Sequence, residues 1–174
     1  YWVGIAFYAD AATFGPWAVP AVLGLCFILG LTVGVAGLLT NLVPWQMVTA
    51  QNGATLRFAG LTDDGRLDLD DLARIVGPRT RLVAVTGMSN VLGTVPPVAK
   101  VIALAHDAGA LALVDGAQSV PHLGVDVRAL GADFLALSAH KMYGPTGAGV
   151  LYARRDLLEA MPPWMGGGGM ILRV

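Results

Sequence analysis

The chain holds a single cysteine, Cys26, which excludes an internal disulfide and a cysteine-built zinc centre. Flanked by Leu25 and Phe27, it reads as an apolar packing residue rather than a reactive thiol. Histidine is scarce too: His106, His122 and His140 show no metal-ligand spacing, so no metal site is expected. Charge is absent between Asp10 and Arg57, whereas Arg57 to Val174 carries every formal charge except that of Asp10. With a net charge of -1 and no Lys/Arg cluster, neither nucleic acid nor an anionic membrane patch is an expected partner. A secretory leader fits poorly because no positive residues precede the apolar run, and no internal repeat is present.

What the sequence does have is apolar content, 55% of 174 residues, enough for one substantial core. Residues 18–39 are 22 uncharged, mostly apolar positions, about what a helix needs to cross roughly 30 Å of hydrocarbon. Pro20, Gly24, Gly30, Gly34 and Gly37 lower helix propensity in water, and no basic residue flanks the run to set an orientation. Residues 1–40 therefore form an apolar N-terminal segment, expected as a helix. It reads equally as a membrane span, a buried helix or a stretch foreign to the 41–174 domain that follows.

From Asn41 the pattern becomes that of an α/β protein with a mainly parallel sheet flanked by helices. Asn41 as N-cap, Pro44 in a first turn and Gly53 as a stop predict a helix over 42–52. Strands are expected at 54–59, 82–86, 111–114, 134–137 and 149–153, and helices at 68–76, 97–108 and 156–160. Asp63, Asp64 and Gly65 form a turn, and Pro162 to Gly169 an exposed loop. The 82–114 stretch is a βαβ unit, whose strands should be parallel and buried on both faces.

In an open α/β sheet, ligands collect beyond the carboxyl ends of the strands. Three such ends are polar here: Thr86 to Asn90, Asp115 to Ser119, and Ser138 to Lys141. An acid ending a strand is more often a turn or cap residue, and a lone Ser-Ala-His-Lys is more often a solvated loop. Their convergence carries the inference. A lysine amine at the carboxyl edge of one strand and a carboxylate at that of another are what pyridoxal phosphate requires, the amine for a Schiff base and the carboxylate to keep the pyridine nitrogen protonated.

Longer stretches make the pattern specific: NLVPWQ (41–46), DGRLDLDDL (64–72), SNVLGTVPPV (89–98), AHDAGALALVDGAQSVPH (105–122), DFLALSAHKMYGPTGAGVLY (133–152) and MPPWMGGGGMI (161–171). In these, about three quarters of the chain resembles the middle of pyridoxal-phosphate enzymes of the class V aminotransferase group, fold type I, and most closely SUF-type cysteine desulfurases. The resemblance implies that Lys141 is the Schiff-base lysine and proton carrier and that Asp115 pairs with the pyridinium. It further implies that Gln118 bonds the ring's phenolic oxygen, Ser138 and His140 the phosphate, and Asn90 the substrate carboxylate.

The resemblance also implies L-cysteine as substrate, L-alanine as product, a sulfur-acceptor protein, a role in iron–sulfur cluster assembly, a homodimer and a cytoplasmic location. Departures accompany it. Gly37 to Thr40 stand where the family carries an acidic residue and two histidines, one of which stacks on the ring, and Thr86-Gly87 replaces a Thr-His strand end. The family's small domain, carboxylate-binding arginine and sulfur-accepting cysteine have no counterpart in these residues, and Cys26 lies on the wrong side of the lysine. A truncated portion with little activity of its own is therefore expected. A selenocysteine lyase or another class V enzyme remains open, as does a non-catalytic chain attached to a membrane through residues 18–39.

Overall fold

The computed structural model describes residues 4–8 and 39–162. Its strands are β1 (Gly4–Tyr8), β2 (Thr55–Phe58), β3 (Thr80–Thr86), β4 (Leu111–Asp115), β5 (Phe134–Ser138) and β6 (Gly149–Ala153). They form one sheet in the order β2-β1-β3-β4-β5-β6. β3, β4 and β5 are parallel neighbours, while β1 is antiparallel to both β2 and β3, and β6 is antiparallel to β5. Four strands thus run one way, and the expected mostly parallel sheet flanked by helices is the observed architecture.

Both faces of the sheet are covered, which is why β3 and β4 read as continuous apolar runs rather than alternating ones. On one face Val83, Val85, Ala112 and Val114 meet Val101, Ile102 and Ala105 of helix α3 (Val98–Asp107) and Leu72 of helix α2 (Leu69–Ile75). On the other, Leu82, Ala84, Leu113 and Phe134 meet Trp45 and Val48 of helix α1 (Leu39–Asn52). The two-residue period of the strand sends successive side chains to opposite cores. Helix α3 closes at Gly109, whose φ of 74° is left-handed and suits glycine. Helix α2 opens on Asp68, whose carboxylate accepts the Asp71 amide at 2.9 Å, the capping role its position suggests.

Several elements differ from the sequence expectation. Helix α1 begins at Leu39, before the expected cap Asn41, so Pro44 lies inside it. Pro44 removes one early backbone bond, and the burial of Trp45 and Val48, each 1% exposed, holds the helix against that loss. β1, which lies between the edge strand β2 and β3, was not anticipated: GIAFY is indistinguishable by pattern from the apolar residues around it. Helices α4 (Ser119–His122) and α5 (Val127–Leu130), and a 3₁₀ turn at Ala139–Met142, are also additions, each too short to show periodicity. Helix α6 (Arg155–Ala160) ends the described chain almost as expected. The apolar run at 18–38 and the glycine-rich loop beyond Pro162 lie outside the described residues. Among the described residues, no helix is long and apolar enough to cross a membrane.

Candidate functional site

The parallel register brings the three polar strand ends to one edge of the sheet. Thr86 pairs with Asp115, and Asp115 with Ala136, two residues before the end of β5. Beyond the strands the main chain stays tied across the gaps, since the Gly87 amide donates to the Asp115 carbonyl at 2.8 Å and the Gly116 amide to the Ala136 carbonyl at 2.7 Å. The predicted residues therefore occupy consecutive loops on one edge: Asn90 after β3, Asp115 and Gln118 at and after β4, Ser138, His140 and Lys141 at and after β5.

Each loop has a local reason for its shape. After β3, the Ser89 hydroxyl accepts the Val91 and Leu92 amides at 3.3 and 3.1 Å, and the Gly93 amide closes on the Ser89 carbonyl, fixing the turn that carries Asn90. After β4, the Asp115 carboxylate accepts the Ala117 amide at 3.0 Å, which folds the chain into α4 with Gln118 in its cap position. After β5, the 3₁₀ turn bearing His140 and Lys141 ends at Tyr143, whose φ of 60° is the one left-handed non-glycine conformation among the described residues. The Ala139 amide donates to the Ala148 carbonyl at 3.0 Å, and the Gly144 amide returns to the Ala139 carbonyl at 2.9 Å. Lys141 thus rides on a short closed loop pinned to the β5–β6 hairpin.

Asp115, Gln118, Ser138 and Lys141 are half-buried, while Asn90 and His140 are exposed. Among the described residues, the side chains of Asn90, Gln118, Ser138, His140 and Lys141 make no hydrogen bond or ion pair, so their polar groups are not spent on one another. An amine, a carboxylate, an amide, a hydroxyl and an imidazole make a donor set that suits an aromatic ring with a basic nitrogen at one end and an anionic group at the other. No group of three or more metal-ligating side chains occurs among the described residues. A hollow of about 380 Å³ lined by Arg57, Arg74 and Arg79 lies at the β2–α2 side of the molecule and includes none of the site residues.

One polar cluster escaped the sequence reading. Asp133, fully buried just ahead of β5, receives the Ala112 amide at 2.7 Å, Arg154 Nη1 at 2.8 Å and His106 Nε2 at 2.8 Å. It sits at the amino ends of β4 and β5, opposite the predicted site. The Arg154 guanidinium is held protonated, first by its hydrogen bonds to Asp156; burial opposes this, and the charge of Asp133 adds to it. The signal available in the sequence was an aspartate opening an apolar strand, which alone does not distinguish a cap from a hub.

Comparison with known proteins follows the same lines. The family model described as Aminotransferase class-V matches residues 31–174. A cysteine desulfurase of Dickeya dadantii is 59% identical over 134 residues, which is 77% of this chain and 32% of the relative. One from Klebsiella pneumoniae is 60% identical over 134 residues, 77% of this chain and 33% of the relative. Among solved structures, a cysteine desulfurase from Escherichia coli superposes with a TM-score of 0.77 at 41% identity, over 98% of this chain and 43% of that one. The apo cysteine desulfurase of Thermococcus onnurineus NA1 gives 0.75 at 35% identity, over 98% and 43%. The chain spans about a third of the length of the curated relatives it matches. A family match over most of the chain, joined to this sheet, makes the protein a member of the class-V aminotransferase family.

Proposed function

We propose that the carboxyl edge of the sheet holds pyridoxal phosphate and that the chain is the cofactor-binding part of a cysteine desulfurase, which converts L-cysteine to L-alanine and passes the sulfur to a thiol. What supports this most is the gathering of Lys141, Asp115 and four uncommitted polar side chains, those of Asn90, Gln118, Ser138 and His140, on adjacent strand ends, in a chain whose close relatives are cysteine desulfurases. Those relatives favour this reading over a selenocysteine lyase. Bound there, the cofactor supplies an electron sink for the Cα bond of an amino acid.

The chain's own residues have distinct tasks. The Lys141 amine bonds the cofactor covalently and carries the proton at the substrate Cα. The Asp115 carboxylate opposes the ring nitrogen's positive charge and so keeps that nitrogen protonated. Gln118 donates to the ring's phenolic oxygen. Ser138 and His140 donate to the phosphate, where a hydroxyl and an imidazole N–H add hydrogen bonds to an anion. Asn90 donates to the substrate carboxylate without adding charge.

A homodimer and a sulfur-acceptor protein belong to the same proposal. Val91, Leu92 and Val95 expose apolar side chains on the loop after β3, and Tyr143 is fully exposed beside Lys141, surface of the kind a second subunit covers. We place the cofactor domain in residues 41–174 together with strand β1, which pairs into its sheet, and the protein in the cytoplasm. The test is a titration with pyridoxal phosphate followed by visible absorbance. The parent chain is expected to develop a band that Lys141→Ala abolishes and Asp115→Asn shifts. Identical spectra for all three would remove the proposal.

A further inference from the structure

Gly87, the first residue after β3, has no room for a side chain. A Cβ built there would stand 2.2 Å from Ser119 Oγ, 2.8 Å from Ser119 Cβ and 3.4 Å from the Asp115 carbonyl oxygen. Its backbone is not left-handed, so glycine is required for space and not for conformation. Ser119 opens α4, is 4% exposed, and its hydroxyl has no partner among the described residues. Rotating that hydroxyl would relieve the 2.2 Å contact, but the 2.8 Å contact to Cβ is set by the backbone and would persist.

The contact lies within a few bonds of the proposed cofactor groups. The Gly87 amide holds the Asp115 carbonyl, and the Asp115 carboxylate holds the Ala117 amide. Gln118 follows, and Ser119 returns to touch Gly87. A displacement of Ser119 is therefore carried to Gln118 and to the Asp115 carboxylate, and relative to the Asn90 turn on the other side of Gly87. We infer that Gly87 is a positioning residue: its missing side chain lets Ser119 seat against the turn after β3 and so sets where the Asp115 carboxylate and Gln118 amide point. This rests on the cofactor reading above.

The experiment is a four-member set in the full chain: parent, Gly87→Ala, Ser119→Gly and Gly87→Ala/Ser119→Gly. Each is titrated with pyridoxal phosphate, and the pH midpoint of the bound-cofactor band is recorded beside the melting temperature. Gly87→Ala is expected to weaken binding about tenfold and to move the pH midpoint, because the carboxylate facing the ring nitrogen shifts. Ser119→Gly alone stays near the parent, and the double variant, with both Ser119 side-chain atoms gone, recovers most of the binding and the parent midpoint. A purely structural role would lower the melting temperature of Gly87→Ala without moving the midpoint, and that result overturns the inference. So does a double variant no better than Gly87→Ala, or the failure of both to fold. A parent without a lysine-dependent band refutes the cofactor reading instead, a different outcome from a parent band that Gly87→Ala leaves unchanged.

Discussion

The two ends of the parallel strands are built on opposite principles. At the amino ends, Asp133 is wholly buried and each carboxylate oxygen is engaged, by Ala112 and His106 on one side and Arg154 on the other. At the carboxyl ends, Asn90, Gln118, Ser138, His140 and Lys141 have polar side chains that bond nothing among the described residues. A buried carboxylate is tolerable only when such donors replace its water, so the first arrangement serves the fold. The second leaves donors for something outside the chain. Polar residues in one small sheet thus divide by whether their hydrogen bonds close internally.

Substitutions at the two ends should separate stability from binding. The largest effect is expected from Lys141→Ala, which removes the lysine-dependent absorbance completely while leaving the urea unfolding free energy within about 0.5 kcal/mol of the parent. A large loss of stability would show that Lys141 is part of the fold and not of an open site. Next, Asp133→Ala should cost about 3 kcal/mol in urea unfolding, because it strands the buried Ala112 amide and leaves the Arg154 guanidinium and the His106 ring without their shared acceptor. Molecules that remain folded should bind cofactor as the parent does. Reduced affinity in the folded fraction would mean that the two ends are coupled.

Smaller effects sharpen the contrast. Ser138→Ala should weaken pyridoxal phosphate binding roughly tenfold, with no change in melting temperature, if its hydroxyl is reserved for phosphate. The smallest change is expected at Asp156. Its carboxyl is held below the ordinary range, first by its hydrogen bond from Arg154, with burial opposing and the Arg154 charge adding to the lowering. Because the folded-state value is the lower one, this contribution is present above the ordinary aspartate range and is lost as pH falls through the depressed value. Asp156→Asn should therefore flatten the acid limb of the stability curve slightly, read as a smaller drop in urea midpoint between about pH 7 and pH 3. An unchanged limb would show the pair contributing nothing.

The strands and helices that pack the two cores were legible because their signals are local. β3, α3, β4, β5 and β6 carry apolar runs or helical spacing bounded by glycine, proline or acids, and each was found within a few residues of its observed ends. β1 was not, since its place between β2 and β3 depends on pairing with segments far along the chain. Helix α5 had readable cap signals, an Asp126 carboxylate accepting the Arg128 and Ala129 amides and a left-handed Gly131, but one turn offers no period to attract notice. The candidate site was visible as three polar strand ends and a recognisable sequence pattern. Which polar groups are spent internally could not be read that way. The Asp133 hub and the Gly87–Ser119 contact join residues brought together only by the finished sheet.

The assignment of the open edge to pyridoxal phosphate is tested most directly by borohydride reduction of the cofactor-loaded chain followed by peptide mass mapping. The sequence offers two lysines, Lys100 on α3 and Lys141 after β5, so the label reads position without ambiguity. The account predicts a phosphopyridoxyl adduct on Lys141 alone, absent in Lys141→Ala. An adduct on Lys100, an even division between the two, or none at all would contradict it.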